Sequence, residues 1–393
     1  MKKVCLIAPG LLPVPASKGG AIETLLTSLI RENERQRLLD LSVVTTFDDK
    51  AQEMAADIQH TRFIEIPADT ALQKMIFRIR HAIARRMHGE HDILPSPYYV
   101  KVLRALKGRS FDEVILEGGP ASAPRLFARR FPSGLWYHMH YVPEWDFDST
   151  GYTKILAVSD FAADAWRRHC RNHEAQIETV HNGIDDKRFS QGFSDQERNE
   201  ARRELGFSPE DVVVLYCGRI IPVKGVLQLL KAVERIDDPH VKLLIIGSPN
   251  FGTEERTEYL DEVERSVQAL ADRVKFTGFV QNSQLWRYAK LADMQAVPSL
   301  WEDAAPTVCM EAMAMGLPLI VTRSGGIQEY TSPECALTVP KDDHVEDGLR
   351  QAIIALRDDP RRRRCMSQAG LKRARDFTVA SMYAHFVEAC ERS

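Results

Sequence analysis

A chain of 393 residues, 44% hydrophobic and 27% charged, has the make-up of a soluble globular protein long enough for two domains. Its net charge of −3 gives no electrostatic reason to expect a nucleic-acid partner, and no apolar run approaches the ~18 residues of a bilayer span. The seven cysteines are scattered and contain no CxxC, which fits a reducing compartment and thiols used as small buried groups.

The first element, "KKVCLIA" (2–8), reads as a short buried strand. Its lysines and apolar residues loosely imitate a secretion signal, but Pro9, Pro13 and Pro15 interrupt the run, so a cytoplasmic location is expected. Further apolar, β-branched runs follow: "LSVVTT" (41–46), "FDEVILEG" (111–118), "LWYHMH" (135–140) and "KILAVS" (154–159). A second series comprises "DVVVLYCG" (211–218), "VKLLIIG" (241–247), "RVKFTG" (273–278), "DMQAVPS" (293–299) and "GLPLIVT" (316–322). Strands this apolar, alternating with helical patterns, predict α/β architecture with parallel sheets covered on both faces. The polar stretch at 185–211 divides the two series. The expected plan is therefore two Rossmann-like, doubly wound domains, 1–190 and 191–375, with a C-terminal helix (376–393) packing back on the first. Ligands of such folds sit beyond the carboxyl ends of the strands, so a cleft between the domains is expected.

Between the early strands, "LQKMIFRIRHAIARRMHG" (72–89) sets Met75, Ile79, Ile83 and Met87 four apart. Lys74, Arg78, Arg80, Arg85 and Arg86 surround them. Such a helix either docks its apolar stripe on its own domain or lies on an anionic membrane surface, at the inner face of the membrane. The denser basic run "RDDPRRRRCMSQAG" (357–370) reads as a solvated helix start after a proline.

Four segments hold candidate chemistry. In the loop "APGLLPVPASKGGAIE" (8–23), Gly19 and Gly20 precede a helix, where they serve a tight turn or let a ligand approach closely. In "LWYHMHYVPEW" (135–145), His138 and His140 share one side of a strand, with His140 nearer its end. No third ligand has metal-site spacing, and the pair His169 and His173 reads as a solvated helix face, so no metal is expected. "VHNGIDDKRF" (180–189) reads only as a turn. "GRIIPVKG" (218–225) places Arg219 and Lys224 at a strand's carboxyl end, as surface charges of a βα loop or as cations neutralising a diphosphate.

The stretch "SLWEDAAPTVCMEAMAMG" (299–316) is the most informative. Pro306 is tolerated only in a helix's first turn, so the helix begins there and stops at Gly316. Asp303 then lies in the entering loop, and Glu311 in the second turn on the face of Thr307 and Val308. Free N–H groups at the helix start favour a phosphate, and a carboxylate one turn below suits a vicinal diol such as ribose. A capping Asp and a partly exposed helical Glu are the plain alternative.

Together, "SDFAADAW", "VHNGID", "GRIIPVKG", "FTGFV" and "PSLWEDAAPTVCMEAMAMGLPLIVTRSGGIQE", with the glycine pair and the strand-end histidine, resemble the retaining glycosyltransferases of the GT-B fold, family 4. The first-domain spacing is similar to the spore-coat-polysaccharide branch. The resemblance implies that Arg219 and Lys224 bind a donor diphosphate, that Glu311 holds the ribose hydroxyls and that Asp303 contacts the transferred sugar. It implies a nucleobase beside Phe279 and Val280, close approach of the donor at Gly20, and His140 next to the anomeric carbon or the incoming hydroxyl. No cofactor is implied beyond the nucleotide-sugar donor, uracil being the expected base. The acceptor would be a carbohydrate or lipid-linked hydroxyl in polysaccharide, cell-envelope or glycolipid synthesis. Two positions depart from the family pattern: Asp303 replaces a glutamate, and Ala304-Ala305-Pro306 replaces glycine-aromatic-glycine. Both touch the donor-sugar end. An epimerase, a phosphorylase and a non-catalytic sugar-nucleotide binder are the rival readings.

Overall fold

The computed structural model describes residues 1–88, 96–119, 124–143, 146, 149–171, 175–189, 194–249, 256–281 and 284–392. The chain divides into two compact units, Met1–Asn182 with Val379–Ser393, and Gly183–Thr378. The break therefore falls at the "HNG" turn, before the polar stretch that marked it in the sequence.

Unit 1 is built on seven strands: β1 (Lys2–Ile7), β2 (Leu39–Thr46), β3 (Arg62–Ile66), β4 (Glu113–Glu117), β5 (Leu135–Met139), β6 (Lys154–Ala157) and β7 (Gln176–Thr179). Their order is β3-β2-β1-β4-β5-β6-β7, with every pairing parallel. The helix Ala21–Gln36 buries Leu25, Leu26, Leu29 and Ile30 against the sheet. The C-terminal helix Val379–Glu391 packs in the same layer, burying Met382, Tyr383 and Phe386. Tyr383 Oη donates to Asn33 Oδ1 at 2.5 Å, and Lys154 Nζ donates to the Ala389 carbonyl at 2.7 Å. These bonds connect residues far apart in sequence and hold the last helix to the first unit.

Unit 2 contains β8 (Val212–Cys217), β9 (Val241–Ile246), β10 (Val274–Phe276), β11 (Met294–Val297), β12 (Leu319–Thr322) and β13 (Ala336–Val339). Their order is β10-β9-β8-β11-β12-β13, again all parallel. Sheet-order reversals at β1/β4 and β8/β11 are the switch points at which such folds take ligands. Strands β3, β7 and β13 have no counterpart among the runs predicted from sequence. All three are sheet edges, and "RFIEI", "QIET" and "ALTV" carry the mixed polarity and partial exposure that an edge allows.

The basic helix spans Ala71–His88. Its apolar stripe is not docked: Leu72, Met75, Ile76, Ile79 and Ile83 are 45–60% exposed, with Lys74, Arg78, Arg80 and Arg86 also in solvent. The expectation of a stripe covered by its own domain is corrected here. Among its described side chains the helix turns only Phe77 and His81 partly inward, and it touches the Pro97–Ala105 helix. The side chains of Arg85 and Met87 lie outside the described residues, as does His173. No described helix is long and apolar enough to cross a membrane. The second basic run forms the helix Pro360–Ala374, capped by Asp359, which accepts from the Arg362 N–H at 2.9 Å.

Unit 2 is anchored by a buried arginine. Arg202, 2% exposed, donates to the Leu291 carbonyl at 2.9 Å, to the Asp211 carbonyl at 3.2 Å and to Asp293 Oδ2 at 2.7 Å. The same Asp293 oxygen accepts from the Val213 N–H at 2.8 Å, so one side chain ties β8 to the start of β11. Replacing Arg202 by leucine leaves the Leu291 and Asp211 carbonyls without this donor and takes one of two guanidinium partners from Asp293. Urea unfolding should show unit 2 destabilised by about 3 kcal/mol; a change within ~0.5 kcal/mol, the size of an ordinary surface substitution, would contradict this anchoring.

Candidate functional site

The residues singled out from sequence in unit 2 gather at the carboxyl edge of its sheet. Arg219 and Lys224 leave β8, Phe279 and Val280 follow β10, and Asp303 lies in the loop leaving β11. The helix Thr307–Ala314 follows, with Pro306 at its N-cap and Gly316 in the left-handed region at φ 73°. Two close approaches fix these loops. The Leu300 N–H donates to the Val223 carbonyl at 2.8 Å, joining the β8 and β11 loops. A Cβ on Gly225, at φ 71°, would lie 2.0 Å from the Pro298 carbonyl oxygen, so only glycine fits there.

Lys224 and Asp303 meet directly. The ammonium lies 2.9 and 2.8 Å from the two carboxylate oxygens and 5.3 Å from the centre of the Trp301 ring. Ser299 Oγ donates to Asp303 Oδ2 at 2.7 Å, and the Gly326 N–H donates to the Asp303 carbonyl at 2.7 Å. Asp303 is thus buried, bound to three loops and already paired with a cation. Arg219 differs: its half-buried guanidinium has no hydrogen-bond or ion-pair partner among the described residues.

Glu311 sits one turn inside the helix, half-buried, and no described group donates a hydrogen bond to its carboxylate. Burial pushes its pKa up, and the nearby Arg188 guanidinium opposes that rise. Arg188 comes from the short helix Asp186–Phe189, which packs on the Glu311 helix, and its Nη2 is buried without a partner. The sequence reading missed Arg188, because "VHNGIDDKRF" signalled a turn and nothing in its spacing pointed 123 residues ahead to Glu311. Thr307 and Val308 occupy the first two helical positions. The third N–H, of Cys309, bonds back to the Pro306 carbonyl at 3.1 Å. Phe279 is 46% exposed and Val280 is half-buried against the core.

In unit 1, Gly19 and Gly20 have φ of 77° and 97° immediately before the helix Ala21–Gln36. The φ of 97° at Gly20 is a backbone conformation that residues with a Cβ rarely adopt, so the turn itself demands glycine. His140 lies one residue beyond β5, and Ile22 and His140 flank the same face of Gly118. The parallel register sets Glu117, the last residue of β4, against His138. Glu117 Oε2 accepts from His138 Nδ1 and from His140 Nε2, each at 2.9 Å, and Glu117 is fully buried. Burial alone would push the Glu117 carboxyl up, but the two imidazoles outweigh it and hold the group down to about 2. His140 is pushed below its ordinary value by burial and by His138, against the pull of Glu117. Glu117 supplies the third partner that sequence spacing did not reveal. Among the described residues these three form a group of potential ligand atoms within 4.8 Å of one another.

Comparison with known proteins agrees with this fold. The chain is 26% identical over 344 residues to spore coat protein SA of Bacillus subtilis, covering 83% of this chain and 82% of the relative. It is 32% identical over 202 residues to a GDP-mannose-dependent monoacylated alpha-(1-6)-phosphatidylinositol monomannoside mannosyltransferase of Corynebacterium glutamicum, about half of each chain (49% and 50%). Among solved structures, Anabaena HepE in complex with UDP-glucose superposes with a TM-score of 0.76 at 18% identity, covering 100% of both chains. The two parallel sheets with their helices are the GT-B fold of such glycosyltransferases. Residues 197–373, nearly all of unit 2, match the family of glycosyl transferases group 1.

Proposed function

We propose that the chain is a retaining glycosyltransferase. It moves a hexosyl or N-acetylhexosaminyl group from a nucleoside diphosphate sugar, UDP-linked, to a hydroxyl of a carbohydrate or lipid-linked acceptor, without a metal ion. The observation that carries this reading is Glu311. A half-buried carboxylate with no donor of its own, on a helix whose first N–H groups are free, fits a ligand that brings hydroxyl donors and an anion together. A ribose diphosphate has both. Arg219, with no counter-ion, and Lys224 would take the diphosphate, and Arg188 completes the positive surroundings of Glu311. The UDP assignment is supported by the UDP-glucose bound to the similar HepE structure.

Cleaving the bond between sugar and diphosphate builds negative charge on the leaving phosphate and positive charge at the anomeric carbon. Fixed cations and helix N–H groups where the negative charge grows lower the barrier most, and in this reading they would do the work of a metal. The acceptor oxygen attacks from the face the phosphate leaves. The C–O bond to phosphate breaks as the new C–O bond forms, and the acceptor proton passes to the departing phosphate oxygen. Asp303, held by Lys224 and Ser299, is positioned to receive hydroxyls of the transferred sugar. Closure over the donor would exclude water and favour transfer over hydrolysis.

The exposed stripe of the Ala71–His88 helix is assigned to the membrane that holds a lipid-linked acceptor. Five large apolar residues flanked by lysine and arginine match an anionic bilayer interface in both polarity and charge. The corynebacterial relative, whose name specifies a phosphatidylinositol acceptor, supports a lipid-linked substrate.

Two outcomes test the reading. Glu311→Ala should weaken UDP binding by about 1.5–3 kcal/mol in calorimetry, with Arg219→Ala also reducing affinity. Because Glu311 must be ionised to accept from the diol and its pKa is raised, affinity should fall as pH drops toward the carboxylate range. A Glu311→Gln variant should lack that fall. Unchanged affinity in Glu311→Ala would remove the ribose role. Liposomes rich in anionic lipid should co-sediment the protein at low salt and release it as ionic strength rises. Substituting Met75, Ile79 and Ile83 with serine should abolish binding, and equal binding to neutral liposomes would contradict the assignment.

A further inference from the structure

Glu117 and His138 have no part in the reaction just described, yet they form the most buried ionic cluster of unit 1 that touches a proposed site residue. A carboxylate only accepts hydrogen bonds, so both imidazole nitrogens facing Glu117 Oε2 carry their protons. For His140 that nitrogen is Nε2, which leaves Nδ1 as a bare lone pair. Nδ1 is itself buried and has no partner among the described residues.

We propose that Glu117, steadied by His138, is a positioning residue: it locks His140 in the Nε2–H tautomer and presents Nδ1 as the acceptor for a substrate hydroxyl. This rests on the proposed transferase reading and on the resemblance, which implies that His140 meets the sugar or its acceptor. The buried carboxylate accounts for two histidines on one face of β5. His138 donates to the same oxygen from Nδ1, so Glu117 cannot rotate toward another donor without stranding one ring. Among the described residues the titratable groups acting on His140 are His138 and Glu117. The arrangement follows the general rule that the role of one imidazole nitrogen is decided by the bond the other makes.

The direct test needs no variant. Nitrogen-15 histidine labelling with long-range proton–nitrogen correlation should show His140 protonated at Nε2 and bare at Nδ1 at neutral pH. Glu117→Gln, whose amide accepts from one ring and must donate to the other, should mix the tautomers. It should also lower kcat/KM about 10- to 100-fold, with UDP affinity unchanged. His140→Ala should cost at least as much, and the double variant should fall no further than His140→Ala alone. An Nδ1–H tautomer in the wild-type protein, additive losses in the double variant, or one tightly held divalent metal ion per chain in elemental analysis would each overturn the inference. Absence of turnover with every nucleotide sugar would instead overturn the transferase reading, while the wild-type spectrum still decides the triad.

Discussion

The ion pair of Lys224 with Asp303 is the interaction on which the second unit's ligand edge depends. β8 and β11 are neighbours in a parallel sheet, so the loops leaving them start side by side. Adjacent loops rich in proline and glycine would otherwise be free to splay. The bidentate contact, the Ser299 hydroxyl and the Leu300–Val223 backbone bond join them into one surface. An exposed pair of this kind contributes little to stability, but Asp303 is nearly buried, and losing either partner leaves an uncompensated charge. The same pair sets the electrostatics of the edge. Lys224 is half satisfied before any ligand arrives, whereas Arg219 is not, so the two cations that look equivalent in sequence are not equivalent in the fold.

Three carboxylates illustrate how one chemical group is given three tasks. Glu117 is fully buried and kept ionised by two imidazoles. Asp303 is paired with a lysine and fixed in direction by a serine. Glu311 has a cation nearby but no hydrogen-bond donor, and burial raises its pKa. Leaving a polar group buried and unpaired costs about 1–3 kcal/mol, and in the proposed reading the ribose hydroxyls would supply the donors that Glu311, beside Arg188, lacks. Stability and binding draw on the same residues in opposite senses here.

Much of this was legible in the sequence because the central strands are buried on both faces and read as unbroken apolar runs. The ten predicted runs became the sheet interiors, together with the edge strand β10. Pro306 and Gly316 bracketed the Glu311 helix through backbone chemistry alone. What stayed hidden had physical reasons. Edge strands such as "QIET" need only one covered face and lack a strong pattern. Arg188 and Glu117 meet their partners through tertiary packing and strand register, which no local spacing encodes. The apolar stripe at 72–83 was readable as a helix, but whether it faces protein or solvent depends on what the rest of the unit leaves uncovered.

The central claim is that the carboxyl edge of the second sheet receives a sugar nucleotide. Crystals of the protein soaked with UDP-glucose test it most directly through difference electron density. The account predicts diphosphate density within hydrogen-bond reach of Arg219 and Lys224, with both ribose hydroxyls on the Glu311 carboxylate. Clear nucleotide density elsewhere, with the Lys224–Asp303 pair and Glu311 untouched, would contradict it.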